Sequence, residues 1–408
     1  MSEIPIFKAK IDAHKNDTST PDEAMQAWRE GKLTDRERDQ LWNGSDEDHF
    51  HDMDYGITRP ENREKLRLSL DPFFKGISAD EAVRRTARGR NNWVVWTGGN
   101  DRFWDQMSLG TMGTFDLLKT ISNDPARVPT VRSNRWDKIG LVNEPGFVEN
   151  RDYDITRFGL KLDKRVAAPD PYENADKYPG VKIGGRGEAV TWCAPPGEWK
   201  DDGSCKDAQG RDRGPGGQRY LRRDRLETGS YYGYATGVVG LRLFPNPAFT
   251  DAAARKWNPR RYYEEPAYYN DPALVKPFRV GMACAFCHVG PNPTRPPADF
   301  NAPKFENLTS NAGAQYFWTD RIFFWNWEKE GGDNIVYQLL RTYRPGALDT
   351  SLISSDNINN PRTMNAVYDF PARMMTAAKL GHWERLTGEE KFNKQFDTVP
   401  NYITKSSP

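Results

Sequence analysis

Cys284-Ala285-Phe286-Cys287-His288 is the stretch on which the reading of this chain turns. It has the form C-x-x-C-H, the attachment signature of a c-type haem. Two thiols three positions apart can reach the two vinyl groups on one edge of a porphyrin and form thioethers. The adjacent imidazole then lies under the iron as its proximal ligand. The flanks, Gly281-Met282-Ala283 and Val289-Gly290-Pro291, are apolar enough to suit a haem edge packed into a core. Two other chemistries share these letters. A redox-active C-x-x-C belongs to a βαβ setting, which the neighbouring sequence does not show. A structural zinc site would draw on all four cysteines, Cys193, Cys205, Cys284 and Cys287.

The opposite side of the iron decides between an electron carrier and an enzyme that binds a small ligand there. Met282 lies too near the attachment point to swing across. Met364 leads the remaining candidates, ahead of Met374, Met375 and His382; an open iron is the alternative. The other histidines are far upstream: His14, and His49 and His51, which sit in an acidic stretch that reads as a surface loop. Arg279 and Arg295, close to the motif in sequence, are candidates for contacts to the haem propionates.

The wider chain supports a mainly α fold. Its 408 residues carry 13 Trp, 17 Tyr and 20 Phe, enough aromatic bulk for a sizeable core, while 34 Gly and 29 Pro predict many loops. Capping signatures place helix starts at Thr20-Pro21-Asp22-Glu23, at Thr34 with Glu37, at Ser78 with Glu81 (ending near Gly89), and at Thr387 with Glu390. A further helix is expected over 112–121. An aromatic helix is expected over 315–329, stopped by Gly331-Gly332, and another from Asp333 to Tyr343. Residues 125–230 read as loops with a few short strands. A cluster of prolines near 270 suggests a boundary. Residues 1–270 would form an irregular, aromatic-rich N-terminal region, and 271–408 a cytochrome c-like haem domain with helices flanking the motif.

The formal charge of +1 argues against a nucleic-acid or anionic-membrane partner, and no run is long enough to span a bilayer. Six arginines between Arg211 and Arg225 form a local basic run, read as a solvated loop. Cys193 and Cys205, twelve positions apart, are placed to bridge one another, which fits an oxidising compartment. Haem attachment to C-x-x-C-H also normally takes place outside the bacterial cytoplasm. The expected location is therefore periplasmic or extracellular, although Met1–Phe7 opens no export signal.

Downstream of the motif, Asn357-Ile358-Asn359-Asn360-Pro361-Arg362-Thr363-Met364-Asn365-Ala366 resembles a stretch found in bacterial di-haem cytochrome c peroxidases. Their superfamily also holds the methylamine-utilisation di-haem enzymes and the haem rubber oxygenases. The resemblance covers roughly 280–400. It implies a mostly helical cytochrome c fold, His288 as proximal ligand, and chemistry on peroxide or dioxygen at one haem fed through a second. This chain carries one C-x-x-C-H where those enzymes carry two, and Phe370-Pro371-Ala372-Arg373 stands where the peroxidases often have Trp-Asp-Gly. The expectation is one covalent haem c exchanging single electrons with a redox partner protein; a second haem, if one takes part, would come from a partner subunit. A peroxidase or oxygenase with an open iron is the alternative.

Overall fold

A computed structural model describes residues 20–111, 113–150, 158–178, 180, 229–310, 316–330 and 337. Among the described residues helix makes up 41% and strand 9%, so helix is the predominant regular structure. In order the elements are α1 (Thr20–Arg29), α2 (Asp35–Asn43), α3 (Arg63–Leu70), α4 (Ala79–Val94), α5 (Asp101–Gly110), α6 (Leu117–Thr120) and α7 (Arg135–Ile139). Then come β1 (Phe147–Val148), β2 (Lys164–Arg165), β3 (Tyr234–Ala235), β4 (Leu241–Pro245), α8 (Asp251–Lys256), α9 (Pro259–Glu264) and α10 (Pro266–Tyr269). The rest are β5 (Phe278–Met282), α11 (Ala285–His288), β6 (Gly290–Pro291), β7 (Leu308–Thr309), α12 (Thr319–Ile322) and α13 (Trp327–Glu330).

Local signals set the first helices. The Thr34 hydroxyl accepts from the Glu37 amide at 3.2 Å, and the Glu37 carboxylate accepts from the Thr34 N–H at 2.8 Å, a reciprocal cap that opens α2. Ser78 caps α4 through the Glu81 amide at 3.2 Å, while the Glu81 carboxylate turns to Arg84 and Arg85 instead. Helix α4 passes Gly89 and runs to Val94, beyond the end expected from sequence. A mid-helix glycine costs only about 1 kcal/mol. Against that, Arg90 donates to Asp54 at 2.8 Å and to the Phe50 carbonyl at 2.6 Å, and Asn91 donates to the Ser45 carbonyl at 2.7 Å.

Two expected helices are overturned by tertiary contacts. Of the helix expected over 112–121, only α6 forms among the described residues 113–121, capped by Asp116; Gly113 adopts φ +79° with the Tyr269 ring pressed close against it. The aromatic helix over 315–329 is split into α12 and α13. Between them the Trp325 N–H leaves the helical ladder to donate to the Thr114 carbonyl at 2.9 Å, and its indole donates to the Gly113 carbonyl at 2.9 Å. Helix α5, which the sequence did not signal, lies along β5. The helices expected at 387–390 and 333–343 lie outside the described residues, apart from helical Tyr337.

The largest sheet has order β3–β4–β5, all antiparallel, with Leu241 opposite Met282 and Pro245 opposite Phe278. It joins residues on both sides of position 270, where the sequence suggested a boundary. The larger apolar core does the same, running from Met107 and Phe115 through Trp257 to Phe286 and Phe324. The packing is therefore continuous across position 270. A smaller core gathers Phe50, Val94, Tyr172, Tyr178, Tyr231, Tyr232, Ala285 and Val289.

Among the described residues between 120 and 180 the backbone is mostly irregular, and buried charge holds it. Asp163 lies 2.6 Å from Arg132 and 3.1 Å from Arg135, with all three side chains buried. Arg242 on β4 pairs with Asp170 at 2.7 Å. Tyr262 and Tyr269 are core residues whose polar tips are satisfied: both donate to the same Asp116 oxygen at 2.7 Å. Among the described residues no helix is long and apolar enough to cross a membrane.

Candidate haem-attachment site

The motif sits on α11, a single turn between strands β5 and β6, rather than between the helices that the sequence suggested. Three constraints hold the turn in place. First, β5 is zipped to β4, and the ladder continues as the Ala283 N–H donates to the Gly240 carbonyl at 2.7 Å. Second, Gly240 takes φ +78°, which lets its backbone lie directly on α11; a β-carbon there would stand 2.1 Å from the Phe286 nitrogen. Third, Asn100 clamps the last residue of β5. Its side chain donates to the Met282 carbonyl at 2.7 Å and accepts from the Met282 N–H at 2.9 Å, mimicking a neighbouring strand.

The turn closes with the His288 N–H donating to the Cys284 carbonyl at 3.1 Å and the Val289 N–H to the Ala285 carbonyl at 3.0 Å. Its two faces pack differently. Ala285 and Val289, one turn apart, enter the smaller core. Phe286 and Cys287 face the larger one, with the Phe286 ring 5.5 Å from Phe317. His288 is buried, its ring centre 5.8 Å from that of Trp93 and tilted by 40°. Beyond it Gly290 pairs with Thr309.

Cys284 and Cys287 carry free thiols, the first exposed and the second partly buried. Although Cys284 is exposed as a residue, loss of hydration at its sulfur pushes its thiol upward. Burial, helped by the neighbouring Cys284, pushes Cys287 up to about 12. Both are therefore protonated at neutral pH. A dithiol built for exchange needs the opposite shift, toward thiolate.

The structure separates the residues that sequence proximity had grouped. Arg279 is fully buried on β5, and its guanidinium faces Asp101 at 3.8 Å and Asp105 at 3.9 Å. Arg295 is exposed on the loop after β6. Met364, Met374, Met375, His382, Cys193, Cys205 and the basic run at 211–225 all lie outside the described residues. His49 is half-buried against Phe50 and Phe305, and burial lowers its pKa. Among the described residues no group of three or more His, Cys, Asp or Glu side chains is arranged to hold a metal ion. A haem makes a smaller demand, because the porphyrin brings four of the iron's ligands and the protein need supply only the axial positions.

Trp93, Thr97, Asn100 and Gly240 meet the motif from far along the chain, and nothing in their local sequence marks them. The indole Nε1 of Trp93, beside His288, is buried without a hydrogen-bond partner. An orphaned donor beside the imidazole, together with two free thiols on one turn, fits a group that brings its own acceptors. No family model, no curated protein and no solved structure matches this chain.

Proposed function

We propose that the chain binds one haem c through Cys284, Cys287 and His288 and exchanges single electrons with a protein partner outside the cytoplasm. The observation that carries this reading is the state of the motif. Two reduced, unbonded and protonated thiols stand on one helical turn, followed directly by a buried imidazole. Unbonded thiols are what thioether attachment needs, and a raised thiol pKa disfavours the thiolate that a redox pair uses.

When bound, the haem supplies the one-electron iron couple. The chain's own residues do the rest. His288 would supply a ring nitrogen to the iron, and the Trp93 ring lies beside its imidazole. Phe286 and Val289 exclude water from the two faces of the turn, and a dry surrounding tunes the potential of a haem. The rigid anchors at Gly240 and Asn100 keep the ligand set in register with the sheet. The resemblance of 280–400 to the di-haem peroxidase superfamily supports the same cofactor and proximal ligand.

Expression with a cytochrome c maturation system tests the reading. The intact mass should exceed that of the polypeptide by one haem, and the reduced protein should show a c-type α band. Cys287→Ser should keep at most one thioether, and His288→Ala should lose the axial ligand. A bare-polypeptide mass with no Soret absorption would refute the reading. Fast carbon monoxide binding to the reduced protein would replace electron transfer by ligand chemistry at an open iron.

A further inference from the structure

Helix α3 and the first half of α4 form a hairpin with a small core of its own, separate from the two larger ones. Leu66, Ile77 and Ala82 meet there, with Leu70 and Val83 packed against them. Helix α3 rests chiefly on α4 and on the turn before it.

The tip of this hairpin, residues 71–76, is firmly built. The Phe73 and Phe74 N–H groups both donate to the Leu70 carbonyl, at 3.0 and 2.9 Å. The Asp71 carboxylate accepts from the Gly76 N–H at 3.0 Å, where Gly76 takes φ +77°. The Ile77 N–H then donates to the Phe74 carbonyl at 3.0 Å, and Ile77 is buried. The same turn holds Phe73 in solvent, 78% exposed. Phe74 is partly covered by the Arg85 guanidinium, 4.5 Å from its ring centre. Leu68 is 58% exposed on the outer side of α3, two positions from Leu66 and from Leu70. Among the described residues no other stretch of seven holds more than one exposed large apolar side chain. Single exposed apolar residues are ordinary on a protein surface, whereas a cluster marks a contact.

The charge left over around this cluster is positive. The hairpin's carboxylates engage its arginines: Asp80 holds Arg63 at 2.8 Å, Glu64 holds Arg67 at 2.7 Å, and Glu81 holds both Arg84 and Arg85. Lys65, one turn before Leu68 on the same side of α3, and Lys75, next to Phe74, are exposed and make no ion pair among the described residues. Free ammonium groups on flexible stems beside exposed apolar side chains suit a surface that is anionic outside and apolar beneath. A hairpin tip is convex, and lipid takes in a convex group without a matching pocket.

We propose that the tip of the α3–α4 hairpin docks on an anionic lipid surface. Phe73 and Leu68 enter the interface, while Lys65 and Lys75 meet the headgroup phosphates. The whole-chain charge of +1 argues against such a partner only on average, because the excess here is local. Docking of the tip is independent of the haem.

Sedimentation of the whole chain with vesicles tests this docking, with phosphatidylcholine mixed with phosphatidylglycerol set against phosphatidylcholine alone. The chain should bind the mixed vesicles, and added salt should weaken that binding. Phe73→Ser should cut it roughly tenfold, and Phe73→Leu should keep most of it. Lys65→Gln and Lys75→Gln should each cost about fivefold on the mixed vesicles and change nothing on phosphatidylcholine alone. Phe103→Ser alters an exposed aromatic residue elsewhere and should bind as the wild type does. Should Phe73→Ser lower the thermal midpoint, the two lysine variants decide alone. Wild-type chain left in the supernatant of the mixed vesicles, or undiminished binding by a well-folded Phe73→Ser, would overturn the proposal. So would a concentration-dependent dimer that Phe73→Ser abolishes in sedimentation velocity, which would give the tip to a second copy of the chain.

Discussion

Gly240→Ala probes the contact that seats the motif. At φ +78° an alanine pays about 1–2 kcal/mol for a left-handed backbone. Its methyl would also stand 2.1 Å from the Phe286 nitrogen and 2.8 Å from the Ala285 carbonyl carbon. These are backbone atoms, so no side-chain rotation relieves the overlap. The start of β4 and α11 must separate by roughly an ångström to restore van der Waals contact. That movement breaks the 2.7 Å bond from the Ala283 N–H to the Gly240 carbonyl, leaving buried groups unsatisfied at about 1–3 kcal/mol. The sum is roughly 2–5 kcal/mol, or a fall of on the order of 10 °C in thermal midpoint. Urea titration of the haem-free chain and haem content after maturation should both fall. Gly240→Asn separates the two causes: asparagine tolerates the left-handed backbone but keeps the β-carbon, so it should recover only some of the loss. Wild-type stability in Gly240→Ala, or full recovery in Gly240→Asn, would refute the close contact between β4 and the motif.

Glu144 is buried, and that burial, opposed by Arg242 and reinforced by Asp170, raises its carboxyl from 4.5 to about 8. The unfolded chain gives up this proton at lower pH than the folded one, so stability should fall as pH rises from about 4.5 to about 8. The ceiling at neutral pH is about 3 kcal/mol. Glu144→Gln should flatten that slope in urea melts taken across the window, and an unchanged slope would sink the assignment. Lys276→Met removes the nearest cation from Asp105, 2.5 Å away, and Asp116, 3.5 Å away, leaving Arg279 at 3.9 Å from Asp105; a loss of about 3 kcal/mol is expected in the same melts. In the haem-free chain, alkylation at pH 8 should be slow at Cys284 and slower at Cys287, both accelerating on unfolding because raised thiol pKa values starve the thiolate. Fast alkylation of folded Cys287 would contradict its burial.

Local chemistry was legible where it closes over a few residues. Thr34 and Glu37 satisfy one another within a single turn, so α2 could be read directly. Ser78 likewise opened α4, but its end was misplaced because Arg90 and Asn91 are held by residues some 40 positions earlier. The aromatic run from Tyr316 to Trp327 is apolar on nearly every face, so periodicity could not say where it would break. The breaking contacts come from Gly113 and Thr114, about 200 residues away. The site divides the same way. Its cysteines and histidine were found from spacing, whereas Trp93, Thr97, Asn100 and Gly240 belong to it only through packing.

The chain's order of residues alone settles which atoms stand ready to bond: two thiols and an imidazole within five positions, a spacing that one helical turn satisfies whatever surrounds it. Their neighbours were settled only when distant segments came together. An antiparallel strand, a glycine with no side chain and an asparagine clamp set the turn at the edge of a sheet, and burial holds its thiols protonated. Covalent spacing is a short-range property and survives in any fold, whereas the hydration of a sulfur or the partner of an indole depends on what else fills the space around it.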